Sequence, residues 1–437
     1  MTRPTRRTVL VFALGLPASL FLVIYDAALW PFTFDYGLLV LFAMAVDRLL
    51  ALPRRQLTVE VEVPERLYIG ERDAVRAHLA CGAERRGASL DLLAERQGEA
   101  EPPEIATAAL AAGGTAEVAL AVVPRRRGRI AVERLWLRWQ GPLGLAEIVQ
   151  TVPVGRAIDV VPNVRGVQNA ALQFYAHEAI FGVKVQRQKG EGAEFDALRD
   201  FAPGLDSRFI DWKQSAKHRS LLCKEFKTER NHQVILAFDT GYLMSEPIDG
   251  IPRLDHAINA GLLLAWISLQ GGDLVGTYGF DAEVRHFQHP ARGTASFTRV
   301  QRATAELAYQ HNETNYTLGL AELGARLKRR ALVVLFTEFV DTITAELLIE
   351  SMQRMSSRHV VIFVTLRDTL LQQAVDAAPS RFEDVAEAVV ADDFLRDRSV
   401  VLERLERMGV HCLDVSTNGL SVALLNRYLL VKERGLI

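Results

Sequence analysis

The sequence predicts a doubly wound α/β domain preceded by a transmembrane helical hairpin and a small β-sandwich. Three observations predict it. Two long apolar stretches occupy the first fifty residues. Alternation of apolar and charged residues then recurs from about residue 54 to 160. From Gln233 onward, short fully apolar runs alternate with segments whose apolar residues recur every three or four positions. Such runs are strands buried on both faces, and the spaced segments are the helices that cover them.

A chain of 437 residues is too long for one ordinary domain, so two or three are expected. The net charge of -2 argues against a nucleic-acid protein held by bulk electrostatics. Cys81, Cys223 and Cys412 lie far apart with no paired spacing, which suits neither a disulfide framework nor a zinc site.

The expected segments are residues 1–52, a membrane hairpin; 53–161, the β-sandwich; 162–232, a connector; and 233–437, the α/β domain. Thr8 to Tyr25 carries no charge and is long enough, at about 27 Å as a helix, to cross a bilayer. A second span is expected over about residues 28–46, weakened by Pro31 and Asp35, so that a re-entrant segment is the alternative. Arg3, Arg6 and Arg7 precede the first span, and Arg48, Arg54 and Arg55 follow the second. The link between them carries Asp26 and no Lys or Arg, so both ends are expected in the cytoplasm, at the inner membrane. A signal peptide is the rival, and the second apolar stretch follows too soon for it.

Leu57–Val63, Ala74–Leu79, Thr115–Val123 and Ile130–Trp139 alternate as half-exposed strands of a sandwich. The basic turn Arg125 to Arg129 can reach lipid headgroups, but such a turn is more often only solvated. A connector helix is expected near Leu172 to Phe181. Asp206 or Ser207 is expected to cap a helix with Phe209, Trp212 and Ala216 on its apolar side. Leu221–Thr228 and Val234–Phe238 read as strands. Pro252 marks the start of a helix that Gly271 stops. Leu274–Phe280, Ala331–Phe336, Val360–Val364 and Val410–Val415 read as further strands, with Glu283–Phe287 as a short hairpin partner. Helices are expected over Ser296–Tyr309, Leu318–Leu327, the acidic region up to Met408, and Asn418–Glu433.

No Walker A loop, G-x-S-x-G or H-E-x-x-H is present. Gly190-Glu191-Gly192 begins like a dinucleotide fingerprint without its third glycine. His286 and His289 lack a third ligand and read as loop histidines. The chemistry-bearing constellation is instead three positions that the sheet brings to one edge. Asp239 ends the first strand, Thr314 precedes a helix, and Glu338 follows the second apolar strand. Oxygen ligands of this kind suit a hard divalent cation such as Mg²⁺. The structural alternative is that Asp239 caps a loop and Thr314 caps a helix.

At this point the chain resembles a known family. From Gln233 to the end it looks like a von Willebrand factor A-like domain. Further phrases look like a bacterial family of membrane-anchored proteins of unknown function associated with MoxR-type AAA+ ATPases. They are Gly190-x-Gly192-x-Glu194-Phe195, Leu198-Arg199-Asp200-Phe201, Pro203-Gly204-x-Asp206-x-Arg208-x-Ile210-Asp211-Trp212 and Ser215-Ala216-Lys217, with Arg138–Leu145 and the C-terminal Asn426-Arg427-Tyr428 and Lys432–Leu436. The resemblance implies a non-enzymatic adaptor with three partners: a MoxR-type AAA+ ATPase, membrane lipid and an unknown client complex, without nucleic acid. A metal-dependent hydrolase at the sheet edge and a cell-envelope adhesion protein are the alternatives. Metal-binding A domains use D-x-S-x-S; here Gly241 and Leu243 replace the serines and Glu338 replaces the third-loop aspartate, a degenerate site. Arg199, Asp206, Arg208, Asp211, Trp212 and Lys217 are expected to form either an internal ion-pair network, with buried aromatics beside it, or a partner-binding face.

Overall fold

The computed structural model describes residues 2–26, 30–82, 87–163, 189–202, 207–218, 220–227, 232–293, 295–340 and 342–437. It divides into two compact units, Met1–Asn163 and Val164–Ile437.

In the first unit, strand β1 (Thr2–Pro4) leads into helix α1 (Arg6–Tyr25), and α2 (Pro31–Leu50) follows. Both helices are long and apolar enough to cross a membrane, and most of their large apolar side chains are exposed. Pro31 does not interrupt the second: it sits at the first helical position, where a missing N–H costs nothing. The helix therefore starts later than expected and runs on to Leu50.

The remaining strands of this unit are β2 (Leu57–Glu62), β3 (Arg66–Tyr68), β4 (Asp73–Cys81), β5 (Ala88–Gln97), β6 (Ala106–Leu110), β7 (Thr115–Val122), β8 (Gly128–Gln140) and β9 (Ala146–Val161). One sheet has the order β1-β9-β8-β5-β6 with β3 also paired to β9; the other is β2-β4-β7. Alternate residues face inward: Val75, Ala77 and Leu79 from β4, Leu90, Leu92 and Ala94 from β5. On β8 the buried set shifts from Ile130 and Val132 to Leu135, Leu137 and Trp139. A register irregularity between Val132 and Arg134 supplies the extra residue that moves the alternation by one.

The Gly141–Ala146 loop is the socket for the helical hairpin. Asp47, fully buried on the last turn of α2, accepts hydrogen bonds from the N–H groups of Leu143, Leu145 and Ala146, each at 2.7 Å. The hydroxyls of Thr5 and Thr8 donate to the carbonyls of Gly144 (2.7 Å) and Leu145 (2.5 Å). Trp139 Nε1 donates to the Leu52 carbonyl at 3.1 Å. The RWQGPLGL phrase thus binds both helices to the sandwich.

The second unit opens with β10 (Lys189–Asp200), helix α3 (Trp212–His218) and β11 (Leu222–Lys227), with β10 and β11 antiparallel. A six-stranded sheet follows. Its elements are β12 (Gln233–Asp239), α4 (Tyr242–Ser245), the two-residue hairpin β13 (Pro247–Ile248) and β14 (Ile251–Pro252), α5 (Arg253–Gln270), β15 (Leu274–Phe280) and β16 (Val284–Ala291). Then come α6 (Ala295–Glu306), α7 (Tyr316–Arg326), β17 (Leu332–Phe336), α8 (Thr342–Ser356), β18 (Val360–Leu366), α9 (Thr369–Asp376), α10 (Phe382–Arg407), β19 (His411–Val415) and α11 (Leu420–Glu433). The order is β16-β15-β12-β17-β18-β19, parallel except for the β15–β16 pair. Numbered within this sheet, that is 3-2-1-4-5-6, the doubly wound order whose switch point lies between β12 and β17.

α5, α6 and α11 pack together on one side; α7, α8 and the end of α10 pack on the other. On the first side Phe238 and Phe336 stack with centroids 5.0 Å apart. A Cβ at Gly261 would come within 2.8 Å of the Phe238 ring, so only glycine lets α5 approach this closely. On the second side Tyr278, Phe280, Leu320, Leu348, Met352, Phe363 and Leu405 close the core. His286 and His289 lie on β16 rather than in a loop.

Candidate functional site

The carboxyl ends of β12 and β17 place Asp239, Thr337 and Glu338 at the switch point, and the loop before α7 adds Thr314. Asp239 is fully buried and enclosed by donors. Its Oδ1 accepts from the Gly241 N–H at 2.8 Å and from Thr314 Oγ1 at 2.6 Å; its Oδ2 accepts from Thr337 Oγ1 at 2.6 Å. Burial pushes its carboxyl up to about 6, against the three hydrogen bonds that favour the ionised form. Tyr316 donates to the Glu338 carbonyl at 2.7 Å, and its phenol lies well above its ordinary range, chiefly through burial.

Glu338 belongs to a second cluster. Its Oε1 accepts from Arg398 Nη1 at 2.6 Å and from Thr365 Oγ1 at 2.9 Å. Arg253 Nε lies 3.7 Å from Oε2. Arg398, reaching in from α10, also binds the Leu366 carbonyl and the Asp414 carboxylate, both at 3.1 Å. Burial works to lower the pKa of this guanidinium; the charges of Glu338 and Asp414 outweigh it and hold it above its ordinary value. Arg253 is shared further with Glu246 at 2.9 Å and Asp368 at 3.6 Å.

The structure brings Asp239 and Thr314 into direct contact, as the sequence predicts for one sheet edge. The role of Thr314 differs from helix capping: Asn315 caps α7, accepting from the Leu318 N–H. In this arrangement the oxygens of the set are engaged within the protein. A Cβ on Gly241 would lie 2.2 Å from Thr314 Oγ1, so the space of the first missing serine is taken. Leu243 supplies no oxygen. Both oxygens of Asp239 are already engaged, and Glu338 is neutralised by guanidinium groups. Side-chain oxygens at this edge come from Asp239, Thr314 and Thr337, and they are hydrogen-bonded to one another. Among the described residues no group of three or more His, Cys, Asp or Glu could hold a metal. The sequence expected Mg²⁺ on Asp239, Thr314 and Glu338; here Asp239 is hydrogen-bonded to Thr314 and Thr337, and Glu338 is paired with Arg398.

Thr337, Thr365, Arg253, Arg398 and Asp414 escaped the sequence reading. Thr337 adjoins Glu338 and was within reach of it. Arg398 lies sixty positions downstream of Glu338 on a helix of mixed charge, and no spacing links the two.

The charged phrase is only partly described. Asp206 lies outside the described residues, as does the Leu172–Phe181 helix, and nothing is described of the Arg208 side chain. Asp211, rather than Asp206 or Ser207, caps α3, accepting from the Gln214 N–H at 3.1 Å. It pairs with Lys224 of β11 at 3.3 Å, and the Gln214 N–H first, then that lysine, hold its carboxyl below the ordinary range against desolvation. Trp212 is 68% exposed, so the expected burial beside the phrase is corrected; Arg199 and Lys217 are exposed too. Trp212 is the first residue of its helix.

Residues 197–405 match the family model described as "Protein of unknown function DUF58". No curated protein matches the chain. Three solved structures are similar to parts of it. The CARDB domain of a Pyrococcus furiosus protein, solved in complex with di-metal ions, covers 24% of this chain and 87% of its own length, at 18% identity and a TM-score of 0.17. The vWF domain of the type V pili tip protein Mfa5 from Porphyromonas gingivalis covers 46% and 94%, at 10% identity and a TM-score of 0.32. The conserved hypothetical protein BatB from Bacteroides thetaiotaomicron covers 46% and 99%, at 14% identity and a TM-score of 0.30. The strand order itself, not these scores, carries the doubly wound assignment. Over residues 197–405, then, the chain is similar to DUF58, and that stretch carries five of the six strands of the doubly wound sheet.

Proposed function

We propose that the protein is a membrane-tethered adaptor. It works with a MoxR-type AAA+ ATPase to assemble, remodel or load cofactors into a client complex. The observation that carries this reading is the arm made by α9 and the first half of α10. These two helices pack on each other. Leu370, Phe382, Val385, Val389, Val390 and Phe394 are all exposed on them. Phe382, Val385 and Val389 follow helical spacing, and six carboxylates against the single Arg396 share the same stretch, Phe382–Asp397. An exposed apolar stripe inside an acidic surface is the composition of a protein contact. α10 is about 39 Å long, and among its described residues only Ala391, Val401 and Leu405 are buried. Arg398 fixes the root of the arm to the sheet edge through Glu338 and Asp414. The site offers little chemistry of its own: Asp239 is enclosed by three donors and Glu338 by guanidinium groups, so neither is placed to take a proton from a substrate. The α1–α2 hairpin, with arginines at both ends, would confine the partner to the cytoplasmic face of the inner membrane.

The test is affinity capture of the full chain from gently solubilised membranes, in ATP and in ADP, with mass spectrometry. An AAA+ ATPase enriched in one nucleotide state, and lost with the double variant Phe382→Asp, Val389→Asp, supports the reading. Recovery of no ATPase in either state, or equal recovery with the arm variant, counts against it. External labelling of a C-terminal reporter would sink the topology.

A further inference from the structure

At the opposite edge of the sheet, between the last turns of α7 and α8, lies a cleft of about 430 Å³. Leu320 and Met355, both buried, form its floor. Ser351, Arg354, Arg358 and His359 supply its polar lining. His359 stands just before β18 and is 4% exposed, yet neither ring nitrogen has a hydrogen-bond partner among the described residues. The hydroxyl of Ser351, 3% exposed, has no partner among the described residues either. Each buried polar atom left in this state costs on the order of 1–3 kcal/mol. All three belong to Ser351 and His359, two residues that line one cleft, and mark a place built to meet a ligand with its own polar atoms.

We propose that this cleft binds the phosphoryl group of a small molecule. Ser351 and His359 would donate to its oxygens from below, and Arg354 and Arg358 would face it from the mouth. The charges around the cleft favour an anion. On α8, Arg354 is paired with Glu350 at 3.3 Å on its solvent side; on α7, Arg326 is paired with Glu322 at 2.7 Å. Arg330 and Arg358 remain close enough to His359 that, after burial itself, their charges are what hold its imidazolium down. The same positive field attracts a phosphate. The carboxyl ends of α7 and α8 carry negative potential, so the guanidinium groups and not the helices supply the attraction.

The test uses the full chain in nanodiscs of neutral lipid, titrated calorimetrically with inorganic phosphate and, separately, with ADP. Saturable binding of phosphate alone assigns a bare anion, and tighter binding of ADP assigns a nucleotide; either supports the site. His359→Leu and Arg358→Gln should each weaken binding about tenfold or more, the loss of one charge-assisted hydrogen bond. Ser351→Ala, the mildest change, should weaken it several-fold. Phosphate should raise the melting temperature of the wild type and leave that of His359→Leu unchanged. Absence of saturable binding, or equal binding to the wild type and Ser351→Ala, overturns the proposal and leaves the arginines as complements to two helix ends.

Discussion

Replacing Asp239 with asparagine tests whether the sheet edge is a closed hydrogen-bonded cluster. In the fold this carboxyl titrates at about 6, against 3.8 as a free group. At about 1.4 kcal/mol per tenfold in proton affinity, its full ionisation costs the native state about 3 kcal/mol. Between those two values the folded chain holds more protons than the unfolded chain, so stability from this group rises as pH falls through 6. The half-buried His286 and His411 and the buried His359 act in the opposite sense, since desolvation lowers their pKa values and they must charge on unfolding. Comparing wild type with Asp239→Asn cancels the histidines. Asparagine keeps Oδ1 as acceptor for Gly241 and Thr314, and the Thr337 hydroxyl can turn to accept from the new amide. The stability difference should therefore shift in favour of the variant by ~1.3 kcal/mol between about pH 5 and about pH 7.5. Hydrogen exchange of the β12 amides in the full chain, corrected for intrinsic rates, reads it. A difference that does not move with pH, or that moves the other way, would refute the enclosure of Asp239 and mean that a cation holds it ionised.

Three further outcomes follow from the same contacts. Gly241→Ser forces its side chain onto Thr314, and should cost about 1–3 kcal/mol in thermal unfolding, with Mg²⁺ giving no recovery. Arg398→Met leaves the buried Glu338 with only the more distant Arg253, and should cost ~3 kcal/mol; the double variant with Glu338→Gln should recover part of it. Asp47→Ala leaves three N–H donors without this acceptor, the buried one of Ala146 at about 1–3 kcal/mol and the part-buried ones of Leu143 and Leu145 at less, and should speed hydrogen exchange at Leu143, Leu145 and Ala146 while that of β12 is unchanged.

Much of the architecture was legible because it follows from local pattern. Two uncharged stretches of bilayer length, period-two alternation and fully apolar runs such as LVVLF each follow from the solvent that a short segment must meet. Asp239, Thr314 and Glu338 could be placed at one edge because a parallel sheet gathers the carboxyl ends of its strands there. What they do at that edge was not local. Whether Asp239 holds a cation or three hydrogen bonds depends on how closely the Thr314 loop approaches Gly241. Whether Glu338 is free depends on a guanidinium sixty residues away on α10. The same holds for Asp47, which on sequence reads as a charge closing a membrane span and in the fold is held by the Gly141–Ala146 loop. A carboxylate's neighbours are set by packing between segments distant in the chain, and packing assigns it a donor, a cation or water. Sequence pattern alone told which residues carry charge to the edge; only the tertiary structure decided that Asp239 meets neutral donors there and Glu338 meets Arg398.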